Sequence, residues 1–271
     1  MLAAVIQLTS VPEQEPNLRC AFEWLDCAQS AGAQLIVLPE LFASYGDLAL
    51  TAELAEPLTG SLVTSLREWT ARRGVWLVTG TFAELDPKTR HVYNTSLLLD
   101  PRGAIAVRYR KRHLFNIDLS AATRCSEGDV FTPGNALACV TTSVGTLGWG
   151  ICFDLRFPEQ FRDLSRAGAE VFVVPSAFTE TTGAAHWELL LRARAVENLC
   201  YVLAANQVGE HSPSMRSYGQ SCIIDPWGKI IASVVGKEPG MALAEIDLDY
   251  LHDLRKRLPV HRLRRDSDRN Q

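Results

Sequence analysis

Several things are missing from this chain, and each absence removes a class of protein. Its 271 residues include seven cysteines, an odd number at irregular spacing with no CxxC pair. That pattern argues against a disulfide framework and against a zinc site, so no metal is expected. No stretch approaches the ~20 consecutive apolar residues that a membrane helix needs. The first eight residues carry neither the basic flank nor the apolar core of a secretory signal. They read as a first strand, and the expectation is a cytoplasmic protein with no membrane partner. Positive charge is not in excess either. The net charge is −4 and the sequence pI about 5.9, which excludes a general nucleic-acid binder. The basic stretch 261–269 reads as a solvated terminal segment. No Ser/Gly-rich linker, repeat or low-complexity tract interrupts the sequence, so residues 1–271 read as a single domain.

What the chain does have is core. Hydrophobic residues make up 47% of it, enough to bury a sizeable interior. Short apolar runs alternate with amphipathic stretches. Strands are predicted at 2–8, 34–38, 75–79, 171–174, 201–205, 221–224 and 229–234. Helices are predicted at 17–31, 61–73, 160–167 and 187–199. Segments 92–99 and 105–110 form a predicted hairpin about the turn Asp100-Pro101-Arg102-Gly103, and Asp225-Pro226-Trp227-Gly228 is a second turn. Crossovers and hairpins together predict a layered α/β fold with mixed sheets.

Three segments carry candidate chemistry. In Gly148-Trp149-Gly150-Ile151-Cys152-Phe153-Asp154, an apolar run ends at Cys152 and a polar segment leads into a helix. A strand-to-helix turn of this kind exposes a nucleophile and aims backbone N–H groups at a reacting carbonyl. Taken alone, a strand-end cysteine fits a packing role equally well. In Leu38-Pro39-Glu40-Leu41-Phe42, Glu40 follows a buried strand at the sheet edge where α/β sites lie. Burial there raises a carboxylate's pKa and suits it to proton transfer; a helix-cap or surface glutamate is the alternative. In Arg108-Tyr109-Arg110-Lys111-Arg112-His113, a basic run would ordinarily be a solvated face. Strand alternation puts Tyr109 and Lys111 on one face and Arg108, Arg110 and Arg112 on the other. Lys111 is then expected to point inward while the arginines stay wet.

In this order and spacing the three segments resemble the Glu-Lys-Cys signature of the nitrilase superfamily. The likeness continues through Pro175-Ser176-Ala177-Phe178, Thr182-Gly183-Ala184-Ala185-His186-Trp187-Glu188, Asp225-Pro226-Trp227-Gly228 and Leu258-Pro259-Val260-His261, and so covers nearly the whole chain. The resemblance implies a four-layer α-β-β-α sandwich, usually paired as a homodimer, with no metal or organic cofactor. It implies Cys152 as nucleophile, Glu40 as proton carrier, and Lys111 with the Phe153 backbone N–H as oxyanion partners. It implies a second glutamate six residues before a Pro-Gly pair, here Glu127, although Gly128 stands where serine is commoner.

Within the superfamily the chain is most similar to the Nit group, nearest the branch that cleaves deaminated glutathione, with ω-amidases acting on α-ketoglutaramate the neighbouring branch. The implied partner is a small-molecule amide of an α-keto acid. Arg156 is the candidate fork for its carboxylate, Phe178 a candidate wall and Thr182 a candidate hydroxyl. In the ordinary reading Arg156 pairs with Asp154 or Glu159, and Phe178 is core. His186, at a helix start, reads as a packing or hydrogen-bonding residue, and His113 as a support to Lys111. Rival readings are a nitrilase proper, a Cys-His thiol hydrolase, a redox-sensing thiol protein, and a non-catalytic binding protein on a decayed nitrilase fold.

Overall fold

In a computed structural model, residues 1–120, 123–260 and 263 are described. The basic stretch 261–269, apart from Leu263, lies outside them, as does His261 of the terminal motif. Two sheets dominate. The first runs in the order 240–245, 2–7, 35–37, 76–78, 92–99, 82–85, with 105–110 also paired to 92–99. The second runs 230–233, 222–224, 201–204, 171–173, 145–149, 139–142. Each is parallel at its centre and antiparallel toward its edges.

Alternation along the strands sorts side chains between two interiors. In the first sheet Ala3, Val5, Leu35, Val37, Val78 and Leu98 face the second sheet and join its core. Their neighbours Ala4, Ile6, Ile36, Leu77, Leu97 and Leu99 face helices α1 (Gln14–Ser30) and, after the short α2 (Leu48–Glu53), α3 (Ser61–Arg73). The outer face of the second sheet is covered by α4 (Pro158–Arg166) and α5 (Glu180–Asn198), through Phe161, Leu164, Trp187, Leu191 and Ala195. The layers are therefore α-β-β-α, as the resemblance implies. Central strands covered on both faces need unbroken apolar runs, which is why 35–38 and 171–174 are so legible.

Some boundaries differ from expectation. Helix α5 begins two turns before residue 187, because the Thr179 side chain caps it by accepting from the Thr182 N–H. Gly183 in that first stretch lets the backbone lie against Tyr218, where a Cβ would clash. Thr181, Thr182 and Gly183 are weak helix formers, so tertiary packing decides here. His186 therefore lies inside the helix, not at its start. The strand before Lys111 ends at Arg110. Arg112 consequently leaves the arginine face and donates instead to Gln160 on the Tyr109 side. The hairpin Val208–Ser212 with Met215–Tyr218 and the closing helix α6 (Leu248–Arg257) were not anticipated.

Candidate active site

Each sheet delivers one candidate catalytic group from the carboxyl end of a parallel strand. After Leu35–Val37 the chain turns through Pro39 to Glu40, whose backbone is held by the Ser176 carbonyl and the Gln207 side chain. Gly80 makes this turn possible: it sits at φ +62, and a Cβ there would come within 2.1 Å of the Pro39 carbonyl oxygen. After Gly145–Trp149 the chain turns through Gly150 to Cys152, which has φ +45, an uncommon conformation for a residue with a side chain. A Cβ at Gly150 would stand 2.6 Å from the Phe161 ring, so glycine there lets α4 pack under the turn.

Asp154 ties the cysteine turn to the neighbouring sheet. Fully buried, it accepts from the Ile151 N–H at 2.9 Å, the Tyr109 hydroxyl at 2.6 Å and the His113 backbone N–H at 3.0 Å, and it bonds the His113 ring at 2.7 Å. That ring is stacked on Phe157. Sequence reasoning gave Asp154 no such part, since nothing local signals four partners that meet only in space.

The groups themselves form one buried cluster. The Lys111 ammonium donates to Glu40 Oε1 at 2.7 Å and to Glu127 Oε2 at 2.8 Å. Asn94 also donates to Glu40 Oε1, and the Cys152 thiol borders the same cavity as the carboxyl. Glu127 accepts from the Phe115 N–H, and its own carbonyl oxygen closes the turn of Val130 and Phe131. Burial pushes the Glu40 carboxyl up; Lys111 pulls it back and Glu127 pushes it further. Burial alone would weaken the Lys111 ammonium, but Glu127, Glu40 and the thiol outweigh it and hold its pKa well above the usual range. Burial, then the Glu40 charge, lifts the Cys152 thiol, while Lys111 and the Ala177 backbone N–H favour its anion. The thiol and the carboxyl are thus both pushed toward their protonated forms beside the Lys111 positive charge.

A cavity of about 210 Å³ opens on the cluster, with Glu40, Glu127 and Cys152 at its base and Tyr45, Phe115 and Met215 in its walls. A smaller recess on the same sulfur is lined by Phe153, Arg156, Phe178 and Thr182. Glu40, Glu127, Phe153, Arg156, Phe178 and Thr182 therefore line spaces that open on Cys152, with Lys111 bonded to the two glutamates. Arg156 is bound to neither Asp154 nor Glu159. Its Nη1 lies 3.2 Å from His186 Nδ1, and its guanidinium lies over the rings of Phe153 and Phe178 at 5.6 and 5.5 Å. Phe178 is nearly fully buried against Trp187. The Thr182 hydroxyl is already hydrogen-bonded to that of Thr179. Among the described residues no group of three or more His, Cys, Asp or Glu is placed to hold a metal ion. Nor is any helix among them long and apolar enough to cross a membrane.

Fold and site together place the molecule among the nitrilase-type α/β sandwiches. The chain belongs to the carbon–nitrogen hydrolase family, which it matches over residues 2–256. It is 42% identical to a human protein named deaminated glutathione amidase, over 97% of this chain and 82% of that one. Its structure is similar to that of Nit3 from Saccharomyces cerevisiae, a member of branch 10 of the nitrilase superfamily. The TM-score is 0.89 at 33% identity, covering 98% of this chain and 97% of Nit3. An amidase from Nesterenkonia sp. AN1, whose active-site cysteine carries an acrylamide adduct, shares the fold with a TM-score of 0.78. The two are 27% identical over 97% of this chain and all of that one.

Proposed function

We propose that this protein is a thiol amidase that hydrolyses a linear amide of an α-keto acid, of the deaminated glutathione type, through a thioester on Cys152. The observation that carries the reading is the Lys111 ammonium clamped between Glu40 and Glu127 beside a thiol that faces a cavity. The names of the relatives supply the substrate class. Arg156, paired with no carboxylate and bordering the recess, supplies a cation for the keto-acid end.

In the first step Glu40 takes the thiol proton as sulfur bonds to the amide carbon. The oxyanion is held by Lys111 and the Phe153 backbone N–H. The C–N bond then breaks as Glu40 returns the proton to the leaving nitrogen, and a thioester remains. Water next gives a proton to Glu40 as its oxygen bonds to the acyl carbon. The S–C bond breaks, and the proton returns to sulfur. Glu127 keeps Lys111 charged and in place throughout. A Cys-His pair is disfavoured, because Glu40, Lys111 and Glu127 are the charged groups that act most strongly on the sulfur and His186 is bonded to Arg156.

The six described free cysteines suit a reducing compartment, and we place the protein in the cytoplasm. We infer a homodimer that uses the outward face of α5, where Leu189 and Val196 are exposed. Sedimentation at micromolar concentration tests the pairing.

The deciding test of the chemistry is intact-protein mass after rapid quenching with deaminated glutathione. Wild type is expected to gain the acyl half of the substrate, and Cys152→Ala to show neither adduct nor turnover. Full turnover by Cys152→Ala would end the proposal. So would inertness of the wild type toward every keto-acid amide.

A further inference from the structure

Two spaces meet at the Cys152 sulfur, and an arginine borders each. Arg156 lines the small recess. Arg216 lines the larger cavity, together with Glu180 and Ser214. Among the described residues of that larger lining, Glu40, Glu127 and Glu180 are acids, and Arg216 is the one cation. We propose that Arg216 holds the terminal carboxylate of the leaving half, and so selects amides whose amine is a short carboxylated peptide over primary amides of the same keto acid. This inference rests on the function proposed above.

The cavity of about 210 Å³ beside Glu40 has room for more of a substrate than a reacting carbonyl and a departing ammonia. The amide of deaminated glutathione is flanked by a carboxylate at each end, one on the keto acid and one on the terminal glycine. Two cations on two sides of one sulfur match that distribution.

The position of Arg216 is also fixed. It sits in the hairpin strand Met215–Tyr218, which bridges to Thr179 through Ser217 and donates from the Tyr218 N–H to the Phe178 carbonyl at 2.9 Å. Phe178 and Thr179 themselves border the recess, so the two arginines are set on one rigid frame. The guanidinium bonds Glu210 at 2.6 Å and Glu180 at 3.2 Å, and Glu180 is shared with Lys237. The Arg216 side chain is 48% exposed. Exposed pairs of this kind are weak and exchange readily, so a substrate carboxylate that takes one edge of the fork displaces little.

The test compares kcat and KM on three amides of one acyl group: deaminated glutathione, its C-terminal carboxamide, and α-ketoglutaramate. Wild type is expected to favour deaminated glutathione over the carboxamide about tenfold, mainly through KM. Arg216→Ala should erase that difference, and Arg216→Lys should restore part of it. A fold defect would lower all three substrates together and leave their ratios alone. If wild type does not distinguish the acid from its carboxamide, or Arg216→Ala keeps the same ratio, the inference is overturned while the amidase reading stands. If wild type turns over none of the three, both fall.

Discussion

Two adjacent residues, Arg110 and Lys111, each gather two carboxylates, yet the two clusters do different work. Arg110 reaches Glu84 with two nitrogens, at 2.6 and 3.0 Å, and Asp86 at 2.9 Å, while its guanidinium lies 3.6 Å over the Tyr93 ring. Thr95 donates to Glu84 as well, so the buried carboxylate is saturated. The hydrogen bond from Arg110 heads the causes that hold Asp86 down at about 2. Asp86 is thereby held ionised. Lys111 instead brings a point charge to two carboxyls beside a thiol, and burial pushes both the Glu40 carboxyl and the Cys152 thiol up. A forked cation that satisfies every oxygen makes a structural joint. A single ammonium beside a carboxyl and a thiol suits the proton transfer proposed for this site.

The comparison breaks most visibly at Lys111. Lys111→Met should cut kcat by about 10³, because the proposed oxyanion loses its full positive charge. Steady-state kinetics with deaminated glutathione check this, and a loss below tenfold would return Lys111 to the class of Arg110. Glu40→Gln keeps the shape and removes the base. It should cost about 10²–10³ in kcat and slow alkylation of Cys152 by iodoacetamide near neutral pH. Alkylation at the wild-type rate would leave the thiol without its proposed base.

Sequence reasoning reached one of these clusters and missed the other, for a physical reason. Alternation along 105–110 correctly turned Tyr109 and Lys111 toward the second sheet. It left Arg110 in water, because the acids that bury it, Glu84 and Asp86, come from the strand Phe82–Leu85 and the turn after it, which carried no clear period. Arg108 is the more exposed of the two, though it too reaches Glu84. Strands with both faces covered announced themselves as apolar runs, and the three segments around Glu40, Lys111 and Cys152 were legible as motifs. Gly80 and Asn94 were not, and Asp154 and Arg216 were legible as motif residues but not in their contacts, since each acts through partners brought near only by the fold. The start of α5 was hidden for the opposite reason: its residues are poor helix formers, and the helix persists there through its Thr179 cap and the fit of Gly183 against Tyr218.

On the structural side, Arg110→Met should lower unfolding free energy by about 2–3 kcal/mol, since it strands the buried Glu84 with Thr95 and the half-exposed Arg108. Urea denaturation measures it. The turnover of the folded fraction should stay within about twofold of wild type, since Arg110 faces away from the sulfur. A severe loss of kcat in protein that is still folded would join the two clusters into one functional unit and dissolve the contrast.

The finest distinction concerns Glu127, which holds Lys111 but lies one group removed from the proposed proton transfer. The base Glu40 must be ionised to accept the thiol proton, so kcat/KM should rise with pH through the pKa of Glu40 in the free enzyme. That acid limb belongs above the ordinary glutamate range of about 4.3, because burial and the Glu127 charge both raise Glu40. Glu127→Gln removes one source of the upward shift and leaves Lys111 to pair with Glu40 alone, which pulls Glu40 down further. Both changes have the same sign. The acid limb should move to lower pH, with kcat reduced as Lys111 loses an anchor. Arg110→Met should leave the limb where it is. A limb that moves upward in Glu127→Gln would mean that Glu127 stabilises the ionised base by some other route, and the role assigned to it here would be lost.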